Sequence, residues 1–264
     1  MSGDARAHAY RNVIITAATA GLAGLLFGYD TGVIAGALLQ ITPDFGLGSF
    51  ESGLVVGAVP LGAVLGAWIA SSRSDKYGRR TLILTSGIIF IIGAIVAAIS
   101  PGTWVLVASR VVIGVAIGVA SAVAPVYISE IAPPDIRGRL VTFFQLAVTI
   151  GILVAYLVGL AFADSNEGWR WMLGLGAVPA LALVIGIIRL PSSPRWLLMV
   201  GREDDAREAL QRVRTEGPEA IELEIKEIES SMSIHEGSWR DLLAPAVKAA
   251  LVVGIGLAIL QQIT

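Results

Sequence analysis

Residues 13–39, VIITAATAGLAGLLFGYDTGVIAGALL, decide the fold. The run exceeds the about 20 mainly apolar residues with which a helix crosses a hydrocarbon core about 30 Å thick. It is far longer than the about 7–15 residue core of a signal peptide, and it carries Asp30, which would be odd in one. It reads as an uncleaved first span over residues 12–39. The same rule predicts further spans over 52–72, 81–100, 103–128, 139–162 and 170–190. A seventh apolar run starts at 246 and is still apolar at Thr264, barely a crossing and without a polar cap, so the chain reads as cut short. The expected organisation is a six-helix transmembrane bundle over 1–190, a polar segment over 191–245 and a truncated seventh span over 246–264.

Composition agrees. Of 264 residues (27.6 kDa), 55% are hydrophobic and 15% charged, with a mean hydropathy of +0.76. A soluble chain carries about 25% charged residues, so this one lacks the polar surface a soluble domain needs. The absence of cysteine excludes disulfides, thiolate metal sites and cysteine nucleophiles. Both histidines, His8 and His235, fall in polar segments, so no histidine metal site is expected. No cofactor is expected.

Lysine and arginine placement sets the orientation. With the N-terminus inside, the cytoplasmic segments are 1–11, 73–80, 129–139 and 189–248. These hold all of the 19 basic residues except Arg110, inside a span, and Arg170, at the outer end of span six. The outer loops otherwise carry only Asp44, Glu51, Asp164 and Glu167. The polar segment contains two amphipathic patterns. Residues 203–214 set Ala206, Ala209, Leu210 and Val213 on one face behind an acidic first turn, Glu203 to Asp205, that suits a helix N-terminus. Residues 218–232 align Ile221, Ile225, Ile228 and Met232, with Pro218 at the tolerated first position. A plain solvated linker is the alternative.

Gly24, Gly28, Gly32 and Gly36 recur every four residues in span one; Gly53/Gly57, Gly62/Gly66 and Gly114/Gly118 repeat the spacing in spans two and four. Such rows let backbones approach closely, either as static packing or as surfaces along which helices slide. Asp30 and Arg110 are costly inside a membrane, and such residues usually mark pathways or pairs. At 1.5 Å per residue they lie about 14 Å and about 10 Å below the outer face. They can pair if spans one and four adjoin, as a fixed ion pair or as a carboxylate that exchanges its arginine for a proton.

Six ordered motifs resemble the sugar porter branch of the major facilitator superfamily. They are Gly28-Tyr29-Asp30-Thr31-Gly32-Val33-Ile34; Asp75-Lys76-Tyr77-Gly78-Arg79-Arg80; Arg110 to Gly118 with Pro125-Val126-Tyr127-Ile128-Ser129-Glu130; Pro133 with Arg137-Gly138-Arg139; Pro191-Ser192-Ser193-Pro194-Arg195-Trp196-Leu197; and Gln261-Gln262. Ser71 stands where the family's loop motif usually has glycine, and Ser192 where the later motif usually has glutamate. Family members have twelve spans, so the resemblance implies the N-terminal six-helix bundle of the major facilitator fold. That bundle is built from 3+3 inverted repeats, followed by a cytoplasmic helical insert and the start of span seven. A C-terminal six-helix half would be its missing partner.

The resemblance implies secondary active transport of a monosaccharide (hexose or pentose) or a similar polyol, by proton symport and alternating access across a plasma membrane. Gln145, Gln261 and Gln262 would contact the sugar, since an amide donates and accepts without carrying charge. Phe27 would pack on the ring, and Ile152 would form a wall of the site. A lone glutamine such as Gln145 can also simply bridge two helices. Asp30 with Arg110 implies proton coupling, because uniporters of animal cells carry a neutral residue at the aspartate. Asp75, Arg79, Arg80, Glu130, Arg137 and Arg139 would form a cytoplasmic ion-pair gate, though the positive-inside rule alone accounts for nearby Arg73 and Lys76.

The other class is a non-transporting sugar sensor or an inactive truncated half-carrier; sensors usually add long cytoplasmic tails, and the N-terminal tail here is short. No nucleophile with a base, phosphate loop or metal-ligand cluster suggests an enzyme, and the basic residues lie in short loops rather than in a nucleic-acid patch. Lack of cysteine and alanine-glycine-rich spans point to a bacterial inner membrane.

Overall fold

The computed structural model describes residues 3–214, 217–233, 247–248 and 251–256. Among the described residues of 3–233, ten helices run in order: α1 (Gly3–Phe45), α2 (Ser49–Tyr77), α3 (Arg79–Ala98), α4 (Thr103–Ile131), α5 (Arg137–Ala161), α6 (Gly168–Gly174), α7 (Ala177–Ile188), α8 (Pro194–Met199), α9 (Glu203–Val213) and α10 (Pro218–Ser233). Among the described residues, six segments are long and apolar enough to cross a membrane, the sixth being α6 and α7 together over Gly168–Ile188; most of the expected seventh span over 246–264 lies outside the described residues. The chain divides after Ile225 into two compact units. The second unit contains the end of α10 and a helical stretch over 251–256.

In the first unit, α1 lies along α5 and α2 along α4; α3 packs on α4 and α7, and α6 and α7 pack on α1. Exchanging α1 with α4, α2 with α5 and α3 with α6–α7 leaves this list of neighbours unchanged, as an inverted repeat of three spans requires. The core sits where α1 and α4 meet the inner faces of α3 and α7, with Tyr29, Phe90, Ile113, Leu183 and Trp169 buried. Of the six spans, α4 and α1 are the most enclosed and α5 the least.

Glycine makes the two long contacts possible. A Cβ on Gly28 would land on the Val148 carbonyl oxygen, and one on Gly24 on that of Phe144. Across the other contact, a Cβ on either Gly62 or Gly114 would come within 3.0 Å of the other's Cα, and Gly66 meets Gly118 at the same distance. These rows are close backbone seams of the kind small residues permit. Gly53 and Gly57 share the spacing but meet nothing within 4 Å.

Two expected boundaries differ. The loop at 73–80 is helical on both sides of Gly78, the one residue between α2 and α3. Its φ of 82° lies in the region that glycine enters without penalty, so one residue turns the chain. The sixth span, expected to be continuous over 170–190, breaks at 175–176. Pro179 has no N–H to give the Leu175 carbonyl, which instead accepts from Val178 at 3.0 Å.

The insert contains the two amphipathic helices, as α9 and α10, and a short α8 before them. Ala206, Ala209, Leu210 and Val213 are buried, the face their spacing predicts; in α10, Ile221 and Ile225 are buried and Ile228 half-buried, while the side chain of Met232 lies outside the described residues. α8 opens on a Ser193 cap, with its side chain accepting from Trp196 N–H, and Pro194 in its first turn.

Candidate functional site

The centre is one ion pair. Asp30 of α1 and Arg110 of α4, only 4% and 1% exposed, meet through Nη1–Oδ1 at 3.3 Å and Nη2–Oδ2 at 3.2 Å. The third guanidinium donor, Nε, is taken by the Val55 carbonyl oxygen of α2 at 2.9 Å. Arg110 therefore binds two helices at once. Sequence reading found the pair but missed Val55, because a backbone acceptor has no residue signature. Beside Asp30, the Tyr29 hydroxyl donates to the Met172 carbonyl oxygen of α6 at 2.7 Å.

Register places the sugar-contact candidates. Along the α1–α5 seam, Gly24 faces Phe144, Gly28 faces Val148 and Gly32 faces Ile152 and Ala155, so the two helices run parallel. At about 100° per residue, Phe27 lies to one side of Gly28. Gln145 and Ile152 lie to the opposite-signed side of Val148. In a parallel pair those two offsets open on the same flank. Phe27 and Gln145 are exposed there and Ile152 is half-buried. The Thr31 and Thr149 hydroxyls, exposed on that flank too, bond back to the carbonyls of Phe27 and Gln145. Gln261 and Gln262 lie outside the described residues.

At the other end of the bundle, part of the expected gate assembles. Arg79 pairs with Asp75 at 3.0 Å, and its Nε stands 3.2 Å from Glu130 Oε2 in an ion-pair contact without hydrogen-bond geometry. Ser193 donates to the same Glu130 oxygen. The Trp196 ring covers Gly78, and its Nε1–H donates to the Asp75 carbonyl at 3.0 Å. Arg80 does not join the cluster: it bonds the Ile187 and Ile188 carbonyls at the end of α7, where unpaired carbonyls attract a cation. Arg137 and Arg139 are exposed and make no ion pair among the described residues. They sit in the first turn of α5, where the helix dipole disfavours drawing a cation inward.

Three more residues tie the insert to the spans, and sequence reading gave them no role. Tyr127 donates to the Pro191 carbonyl at 2.6 Å; Arg214 pairs with Glu224 at 2.7 Å and donates to the Ile131 carbonyl at 2.7 Å. Asn12 of α1 donates to the Arg212 carbonyl. Within the insert, the Glu222 carboxylate hydrogen-bonded to Arg207 pushes that guanidinium's pKa upward, so its charge is secure.

Comparison with known proteins decides the family. The model for "Sugar (and other) transporter" matches residues 16–264. The chain belongs to this sugar transporter family. Among relatives, a D-xylose transporter of Levilactobacillus brevis is 48% identical over 242 residues, covering 92% of this chain and 53% of that protein. A galactose-proton symporter of Escherichia coli K12 is 42% identical over 246 residues, covering 93% and 53%. The solved structure of the major facilitator superfamily proton:xylose symporter XylE, bound to 6-bromo-6-deoxy-D-glucose, superposes with a TM-score of 0.79 at 28% identity. That match covers 84% of this chain and 53% of XylE. The bundle is therefore a major facilitator fold in a multi-pass membrane protein. As a sugar transporter family member, the chain spans about half the length of the curated relatives it matches.

Proposed function

We propose that this protein takes part in secondary active transport of a monosaccharide, hexose or pentose, or a similar polyol, by proton symport and alternating access. The observation that carries it is the buried Asp30–Arg110 pair joining α1 to α4 in the same bundle whose α1–α5 seam opens Phe27, Gln145 and Ile152 on one flank. A buried charged pair has a large response to a proton: protonating Asp30 abolishes its charge–charge attraction to Arg110 and leaves α1 and α4 joined there by packing and neutral hydrogen bonds alone. A neutral amide beside an aromatic face suits a sugar, whose hydroxyls need donors and acceptors and whose ring offers apolar C–H surface. The relatives' names, a xylose transporter and a galactose-proton symporter, support the same cargo and ion.

In this reading the N-terminus is cytoplasmic in a bacterial inner membrane, and Asp75, Arg79 and Glu130 form the inner gate. Gln261 and Gln262 add sugar contacts, and a second six-helix bundle completes the cavity. Asp30→Asn should still exchange labelled sugar across the membrane but fail to accumulate it against a gradient. Accumulation at the wild-type level in that variant would refute the coupling role. Absence of both exchange and sugar binding in the wild-type protein would favour an inactive half-carrier, and binding without exchange a sensor.

A further inference from the structure

Tyr29 is held more exactly than packing requires. Its hydroxyl donates to the Met172 carbonyl oxygen at 2.7 Å, and the side chain is 3% exposed. That carbonyl is open for a specific reason. In a continuous helix it would accept from the N–H of Gly176, four residues on. Here the Gly176 N–H goes to Leu173 at 3.3 Å, because the sixth span breaks at 175–176 ahead of Pro179. The ring fits the break closely: a Cβ on Gly176 would stand 3.2 Å from Tyr29 Cε1. On the α5 side, a Cβ on Gly151 would stand 2.8 Å from the Tyr29 backbone nitrogen. The tyrosine is thus clasped between α5 and the break, one residue before the carboxylate that pairs with Arg110.

We propose that Tyr29 is a positioning residue that ties the break in the sixth span to the Asp30–Arg110 pair, so that the hinge between α6 and α7 moves with the protonation state of Asp30. This rests on the proton-coupling role proposed above for Asp30. While the pair is closed, α1 is held to α4, and through Tyr29 the end of α6 is held to α1. When Asp30 takes up its proton, the hold on α4 weakens and α1 carries the Met172 carbonyl with it. The break is where the span can bend, since its ladder is already interrupted there.

The experiment measures proton uptake per sugar, from the external pH rise on adding sugar to de-energised cells making the protein, in the wild type, Tyr29→Phe, Pro179→Ala and Asp30→Asn. Tyr29→Phe removes the single hydroxyl. Pro179→Ala returns an N–H to the break and lets the Gly176 N–H go back to Met172. Both should lower protons taken up per sugar by about tenfold, the weight of one buried hydrogen bond, with a smaller fall in exchange of labelled sugar. A merely structural role would lower folded protein and exchange together and leave the ratio unchanged; that result overturns the proposal. Should Tyr29→Phe fail to fold, the ratio in Pro179→Ala decides in the same way. Asp30→Asn separates the two levels. If it still takes up protons with sugar, the coupling role fails and the proposal with it. If it does not, while Tyr29→Phe keeps the wild-type ratio, only the role of Tyr29 fails.

Discussion

Removing Arg110 alone strands the Asp30 carboxylate in a buried site, whereas removing both charges leaves two neutral groups. A buried pair broken on one side loses about 3–5 kcal/mol, while replacing the whole pair is often nearly neutral. Arg110→Leu should therefore lower thermal stability in detergent sharply, and the double variant Asp30→Asn/Arg110→Leu should regain more than half of that loss. Equal loss in the single and double variants would mean that the Arg110 bond to the Val55 carbonyl, not the ion pair, holds the site. At this scale the sequence was legible wherever a residue was costly for its surroundings. Asp30 and Arg110 stand out because charge inside a membrane needs a reason. Tyr29, Tyr127 and Ser193 did not, since a single hydroxyl is cheap and its partner here is a carbonyl or a distant carboxylate.

Between helices, the seams decide which contacts are rigid. Gly28→Ala places a methyl on the Val148 carbonyl, and Gly114→Ala places one on Val59. Overpacking of this kind costs about 1–3 kcal/mol, and both variants should lose thermal stability accordingly. Gly57→Ala has the same motif spacing but open space, and should be neutral or gain up to about 1 kcal/mol from helix propensity. Melting of the three variants in detergent checks this; equal losses would show that the seams are looser than their geometry. The Asp75–Arg79–Glu130 cluster follows the same logic of local fields. Glu130 gathers Arg79 and Ser193 at the end of α4, while the carbonyls ending α7 capture Arg80. Both arginines were legible as a basic turn; their separate destinations were not, because they depend on which helix end each side chain reaches.

For the whole molecule, the absence of cysteine offers a direct test of orientation. A single cysteine at Ser165, between α5 and α6, should react with a membrane-impermeant maleimide in intact cells; one at Ser72, near the end of α2, should react only after permeabilisation. The reverse pattern would invert the proposed topology. The membrane-crossing character of six segments and the amphipathic pattern of the two insert helices were determined by the sequence alone. Each depends on residues near one another along the chain: the length of an apolar run, or a spacing of three to four. Tertiary structure alone decided that Asp30 meets Arg110, 80 residues away, that Arg110 also binds α2, and that the sixth span's free carbonyl is taken by Tyr29. It also decided which glycine rows are seams. Gly28 and Gly57 present the same four-residue pattern, yet one meets a backbone and the other nothing within 4 Å. The pattern describes a helix face, and only the position of the neighbouring helix says what that face touches.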